Sequence, residues 1–343
     1  MKSRICLFVL VILSASFCLA AAPTTRQVNL LAMGDWGRDN DTQRRVAATM
    51  KKHILSAAPD RKFNAMLLAG DNFYVHLDGV NDPKWRTMFE DLYEPAAFDF
   101  PFYPALGNHD YVENRYLIEQ GYSKAHSESR WKMPDRWFRV DLPENDPLVT
   151  VLMLDSNEPL LGEAEWEREL MWLKTELAKP RAARWLICVA HHPLMSNGDH
   201  GDNGVLARQW KPLFNQAKVD FYICGHDHDL QHLIADGINP SMLLVGGGGA
   251  TTRPIRNDKR GPFSKATNGF ADLEFSDRRA CVRLISGLDG STLHEFTRAP
   301  DGAVTVVQSI PSDAAVPRTV KSITRGGEET TKPAKEKSKE KDD

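Results

Sequence analysis

Seven apolar runs punctuate the chain: VNLLAMG, FNAMLLAG, PFYPALG, VTVLMLD, RWLICVA, VDFYICG and SMLLVGGGG, each stopping at Gly, Asp or His. Short continuous runs bounded by turn residues predict buried strands. Helical patterns lie between several of them, in DTQRRVAATMKKHILSAA, PKWRTMFEDLY, AEWERELMWLKTELAK and GVLARQWKPLFNQA. In the third, Trp166, Leu170, Leu173 and Leu177 recur at helical spacing while Glu and Lys take the other face. Strands alternating with helices predict an α/β protein with substantially parallel pairing and helices covering both sheet faces. GFADLEFS and CVRLISG follow one another without a helix, which predicts a second, partly antiparallel sheet or edge. From Pro311 onward the chain lacks aromatic residues, and residues 311–343 read as a disordered charged tail after a domain spanning 26–310.

Composition narrows the picture modestly. With 343 residues, 42% hydrophobic and 26% charged, the chain can bury a sizeable core. A net charge of −3 with no basic stripe gives no expectation of nucleic-acid binding. The N-terminus has Lys2 and Arg4, an apolar stretch and then small residues at Ala20 to Ala22, the plan of a cleaved export signal over residues 1–21. The stretch is too short to expect a membrane span after signal removal. Export would place the protein outside the cytoplasm, in a periplasm, a lysosome-like compartment or the medium. The mature chain keeps Cys188, Cys224 and Cys281, each inside an apolar run, and these read as small buried hydrophobes.

The endings of five runs share one grammar: AMGDWG, LAGDNFY, ALGNHD, CVAHHP and YICGHDHD. Each closes in a small residue and then presents Asp, Asn or His where a sheet meets solvent. One such ending is ordinary turn chemistry. Five that all supply metal-competent side chains are hard to explain as five separate turns. Carboxylate, amide oxygen and imidazole suit hard or borderline ions, and the absence of Cys argues against a thiolate site. Asp35, Asp71, Tyr74, Asn108, His191, His226 and His228 exceed what one tetrahedral ion uses, whereas two ions about 3.5 to 4 Å apart would use them.

GDWG, GDNFY, GNHD, AHHP and GHDHDLQ, in this order, resemble the metallophosphoesterase superfamily and its purple acid phosphatase branch, nearest the small tartrate-resistant type. The resemblance runs from about Val28 to Leu244. It implies a four-layer αββα sandwich of two mixed sheets flanked by helices. Most of the superfamily has His two places after the first Asp; here that place is Gly37, and Tyr74 matches the tyrosine that replaces it in the purple branch. A phenolate is a hard anionic donor that favours Fe(III).

The resemblance further implies a binuclear centre of Fe(III) and a second divalent metal (Fe, Zn or Mn). Asp35, Asp71, Tyr74 and His228 would hold the ferric ion; Asp71, Asn108, His191 and His226 would hold its partner, with Asp71 bridging. His192 ranks below His191. His109 and His200 match the histidines that orient phosphate and assist proton transfer, and they are the catalytic candidates, His109 first. The implied activity is hydrolysis of small phosphate monoesters or phosphoproteins by a metal-activated hydroxide at acidic pH. A phosphodiesterase or nucleotidase on the same metals is the first alternative, and an inactive, phosphatase-like surface binding protein the second.

Vertebrate relatives of the small type carry a long loop after the strand matching VLMLD; here SNEPLLGEAEWERE passes almost directly into a helix, which predicts an open site. Their stapling cysteines are missing, with Leu161 and Asn203 or Gly204 at the approximate places. His53, His76, His126, His232 and His294 lie outside the motifs and read as solvated or satisfied, His76 being the first exception to consider. Gly246 to Ala250 reads as a tight strand exit near the metals, since it lacks the Lys-Ser/Thr of a phosphate loop. Residues 111–137 are long and aromatic-rich and are expected to rim the site. Asp227 and Asp229 are expected to support the ligands.

Overall fold

The computed structural model describes residues 26–316, together with the backbone of Thr319–Ile323 and Glu329–Pro333. The expected export signal therefore lies outside the described residues. Each of the seven apolar runs becomes a strand: β1 (Gln27–Met33), β2 (Ala65–Ala69), β3 (Phe102–Ala105), β5 (Val149–Met153), β6 (Trp185–Val189), β7 (Phe221–Cys224) and β9 (Ser241–Val245), while β4 (Phe138–Leu142) and β8 (Leu230–Leu233) form from segments outside those runs. The later strands are β10 (Phe263–Lys265), β11 (Gly269–Ser276), β12 (Ala280–Ser286), β13 (Thr292–Arg298) and β14 (Val304–Ser309). Helices are α1 (Asp41–Leu55), α2 (Asn108–Tyr111), α3 (Arg115–Ala125), α4 (Glu158–Leu161), α5 (Glu163–Ala178) and α6 (Gly204–Ala217).

Two seven-stranded sheets result, ordered β14-β13-β12-β11-β1-β2-β3 and β10-β8-β9-β7-β6-β5-β4. Both are mixed: β1, β2 and β3 run parallel, as do β5, β6, β7 and β9, and antiparallel strands extend each block. This is the αββα sandwich of the sequence expectation.

Side-chain alternation explains the layers. Val149, Val151 and Met153 of β5 join Leu243 and Val245 of β9 and Leu273 and Phe275 of β11 in the core between the sheets. The alternate residues Leu152, Met242 and Leu244 face away and are buried with Trp166 and Leu173 of α5 and Trp210 and Phe214 of α6. Strands buried on both faces read as unbroken apolar runs. Cys188, Cys224 and Cys281 are buried free thiols.

Three expectations change. PKWRTMFEDLY forms only a short π-type turn, Trp85–Glu90. The proposed rim, 111–137, contains α3 and turns its aromatic residues inward: Trp131 is fully buried, and Tyr122 stacks on Trp85 at 3.7 Å. Its Trp and Tyr content reports an aromatic core with Trp36, Phe73 and Phe89. Finally, the chain does not leave the body at residue 311. Ser312 and Asp313 hydrogen-bond to Ser264, Lys265 and Ala266 of the β10 region, and Val316 N–H reaches Ile255 O at 2.7 Å. Thr319–Ile323 then pairs antiparallel with Glu329–Pro333. The remainder of the expected tail lies outside the described residues.

Candidate metal centre

The parallel strands of both sheets end at the same edge, and their endings interlock. Gly34 N–H donates to Val245 O at 2.8 Å, Asp35 N–H to Gly70 O at 3.0 Å, and Gly225 N–H to His191 O at 2.9 Å. His191 Nδ1 lies 2.9 Å from Ala69 O, which ties β6 of one sheet to β2 of the other. Three residues at these endings, Asp35, Asp71 and His226, adopt left-handed backbone conformations with φ of 58°, 52° and 70°. Non-glycine residues rarely adopt this conformation, and they hold it where the surrounding structure over-determines it. Here it turns each side chain out of the strand direction toward a common point. Gly225 leaves room for one of them: a Cβ there would stand 2.3 Å from Asp35 Oδ2.

All seven candidate donors meet at that point. Tyr74 Oη lies 2.8 Å from Asp71 Oδ2, 3.1 Å from Asp35 Oδ1 and 3.4 Å from His228 Nε2. His191 Nε2 lies 3.1 Å from Asn108 Oδ1, 3.2 Å from His226 Nδ1 and 3.5 Å from Asp71 Oδ1. The donors thus form two groups, and Asp71 gives one carboxylate oxygen to each. Donor atoms of Asp35, Asp71 and His191 lie within 4.8 Å of one another, and so do those of His191, His192 and His226. His192 also leans on Ser156 through Nδ1 at 2.9 Å.

The donor set fits a pair of cations. Asp35 and Asp71 are buried, and among the described residues neither has a Lys or Arg ion-pair partner; their contacts are a phenol, imidazoles and backbone N–H groups. Two buried carboxylates without a full counter-charge are costly, and bound ions supply one. Burial, with His192, His191 and His200 adding repulsion, holds His226 far below its ordinary pKa, so it is a neutral nitrogen donor. His228 is oriented through Nδ1 by Thr251 O at 2.8 Å. Burial and the two carboxylates push the Tyr74 phenol well above its ordinary pKa, so that a cation is what would draw off its proton.

His109 and His200 flank the group. The His109 ring packs on Tyr74 with centroids 4.4 Å apart, and the His200 ring stacks on His226 at 3.9 Å. Arg253 donates through Nη1 to His200 Nε2. Asp227 accepts from His200 N–H at 2.8 Å and from Ser196, while Asp229 accepts from Gln231. Gly246 belongs here too, its missing Cβ facing Asp227 O and Asp35 Oδ2. His76 stands apart, bonded to Glu113 and Asp78 at the surface. His53 pairs with Asp272, His126 with Val80 O, and His232 with His294.

Sequence reasoning passed over Asp110. Its buried carboxylate accepts from Asn72, Phe73 and Gly107 N–H groups and so joins the loops that carry Asp71 and Asn108. The signal was present in GNHD, whose last residue can cap its own loop. Arg38 and Arg253 were also missed; nothing local in the sequence distinguishes them from surface arginines.

Fold and donor set together define a two-metal phosphoesterase. The calcineurin-like phosphoesterase family model matches residues 28–230. Human tartrate-resistant acid phosphatase type 5 is 30% identical over 305 residues, covering 80% of this chain and 92% of its own. Purple acid phosphatase 7 of Arabidopsis thaliana is 31% identical over 244 residues, covering 65% of this chain and 70% of its own. A solved structure, described as the anchor in the inner membrane complex of Plasmodium, shares the fold with a TM-score of 0.67 and 24% identity, covering 84% of this chain and 91% of its own. The chain belongs to the calcineurin-like phosphoesterase family and is closely related to the tartrate-resistant and purple acid phosphatases. Its site is that of a metal-dependent phosphatase with a binuclear metal centre.

Proposed function

We propose that the protein is an exported acid phosphatase that hydrolyses phosphate monoesters with one ferric ion and one divalent ion of iron, zinc or manganese. Asp35, Asp71, Tyr74 and His228 would hold the ferric ion, and Asp71, Asn108, His191 and His226 would hold the divalent one. The observation behind this reading is the division of Asp71, whose Oδ2 meets Tyr74 while its Oδ1 faces His191. The phenol sits in only one of the two donor groups, which makes the pair chemically unequal and suits ions of unequal charge.

Ions held by these residues would supply positive charge to offset the phosphate oxygens and would lower the pKa of water. The chain supplies the rest. His109 stands beside Tyr74, where an imidazolium gives its proton to a departing alkoxide. His200 ranks second because its Nε2 already accepts from Arg253 and carries no proton in that arrangement. The Glu158–Leu161 helix and α5 follow β5 closely, so no long loop from that ending covers the site. The apolar, small-residue plan of residues 1–21 supports export.

The test is phosphate release by the iron- and zinc-reconstituted mature protein, from p-nitrophenyl phosphate and from its bis ester, across the acidic to neutral range. Faster monoester hydrolysis with an acid optimum is expected. Preference for the diester would shift the reading to a phosphodiesterase, and no release from either would leave a binding protein on a phosphatase scaffold.

A further inference from the structure

Two arginines flank the donor group with their hydrogen-bonding capacity largely unspent. The Arg38 guanidinium lies over the Tyr74 ring, 3.6 Å from its centroid, and its buried Nε has no hydrogen-bond partner among the described residues. Its neighbours Asp39 and Asp41 are engaged by Arg44 instead. Arg253 donates to His200 Nε2 and, through its backbone N–H, to His228 O at 3.3 Å. Among the described residues neither Arg38 nor Arg253 has a carboxylate within ion-pair distance, whereas Arg260, on the same loop as Arg253, pairs with Asp202 at 2.8 Å.

The placement is specific. Each guanidinium is one ring removed from the donor atoms: Arg38 through Tyr74, which touches Asp35 and Asp71, and Arg253 through His200, which stacks on His226. The Arg253 loop is also fixed. Arg256 N–H donates to Asn197 O at 2.7 Å, and Val316 N–H to Ile255 O at 2.7 Å, so the loop is pinned to the His200 loop on one side and to the end of the domain on the other. A guanidinium presents five donors in a planar fork, and holding one partly desolvated without an anion is unfavourable. Beside a binuclear cation site it is less favourable still, unless the bound substrate brings more negative charge than the scissile phosphate alone.

We propose that Arg38 and Arg253 form an anion-recognition pair, which makes this site select phosphate monoesters that carry a second anionic group, a carboxylate or another phosphate, close to the ester. This rests on the phosphatase reading. The fork binds carboxylate or phosphate oxygens through paired, charge-assisted hydrogen bonds, and the pinned Arg253 loop reduces the ordering cost of binding.

2-Phosphoglycerate and glycerol 2-phosphate differ only by a carboxylate in place of a hydroxymethyl group, and they test the pair directly. The metal-loaded protein should prefer 2-phosphoglycerate in kcat/KM by about tenfold, the scale of one charge-assisted hydrogen bond. Calorimetric titration of each ester should show the same order. Arg38→Gln and Arg253→Gln should each lower that ratio several-fold, and the glutamine amide can still donate to His200 in the second. Should either fail to fold, Arg38→Lys and Arg253→Lys carry the same comparison with charge retained and the fork lost. A wild-type ratio near one, or a ratio unchanged in both variants, overturns the pair. Hydrolysis of both esters without discrimination would sink the pair and leave the phosphatase reading standing. Tighter binding of 2-phosphoglycerate that the substitutions abolish, without hydrolysis of either ester, would do the reverse.

Discussion

Tyr74 donates its phenolic hydrogen to Asp71 Oδ2 at 2.8 Å, from a position three residues further along the same loop. That contact puts the phenol between two buried carboxylates, where only a strong cation would displace its proton. Tyr74→Phe keeps the ring over which Arg38 lies and removes the oxygen. It should fold, bind the divalent ion and lack the visible tyrosinate-to-Fe(III) band that the proposed ferric site predicts for the oxidised wild type. Identical spectra in the two proteins would remove Tyr74 from the ferric site.

Metal removal should destabilise the protein. The donor cluster is buried, and ions that bind only the folded state add about 3 kcal/mol per site at a hundredfold excess over Kd. A loss of this size lowers Tm by about 5 °C or more in a chain of this length. Asp71 reaches both donor groups, so the gap between loaded and chelated protein should narrow in Asp71→Asn. Calorimetric scans of the four samples check this, and an equal gap in the variant contradicts a bridging role.

Burial lowers the pKa of His109, with Arg38 adding repulsion and Asp71 partly opposing both. Its protonated fraction therefore grows only as pH falls below the ordinary histidine value, and proton donation from it is lost as pH rises. His109→Asn should reduce kcat on an alkyl phosphate by about a hundredfold and flatten the fall of kcat toward neutral pH. The loss should be much smaller on p-nitrophenyl phosphate, whose phenolate leaves without a proton. Equal losses on the two esters would point to phosphate positioning instead.

Away from the centre, Asp272 is buried between His53 Nε2 at 2.7 Å and Arg61 Nη1 at 2.8 Å. Burial opposes its charge, but hydrogen bonds from His53 and Arg61 outweigh that and hold its pKa below the ordinary value. A carboxylate depressed in this way stabilises the fold above its unfolded pKa and stops doing so as pH falls through the folded one. Asp272→Asn should cost about 3 kcal/mol at neutral pH by leaving the largely buried Arg61 with only its longer contact to Glu274, at 3.8 Å, as a charge partner. The difference from wild type should shrink as pH falls below about 4. Urea unfolding at both pH values measures it.

Much of this protein was legible in one dimension. The apolar runs became strands because buried parallel strands need no polar alternation, and the endings GDWG, GDNFY, GNHD, AHHP and GHDHD marked where those strands stop and their polar side chains gather. Residues 111–137 misled because aromatic content reads the same on a rim and in a core. Trp131 and Tyr122 pack around Trp85 through contacts that no local pattern encodes. The end of the domain was misplaced for a related reason, since Ser312 and Asp313 are held by partners near β10 rather than by apolar burial of their own.

The sequence by itself determined the strands, the turn chemistry at their ends and the chemical types of the donors, because these depend on neighbours a few positions away. Tertiary structure decided which endings converge, which oxygen of Asp71 faces which group, and that Arg38 and Arg253 stand beside the centre without acidic partners among the described residues. Those facts depend on sheet order, which brings β2 of one sheet and β6 of the other to a shared edge. Contacts between strands so far apart in the chain arise only when both sheets bury their inner faces against each other.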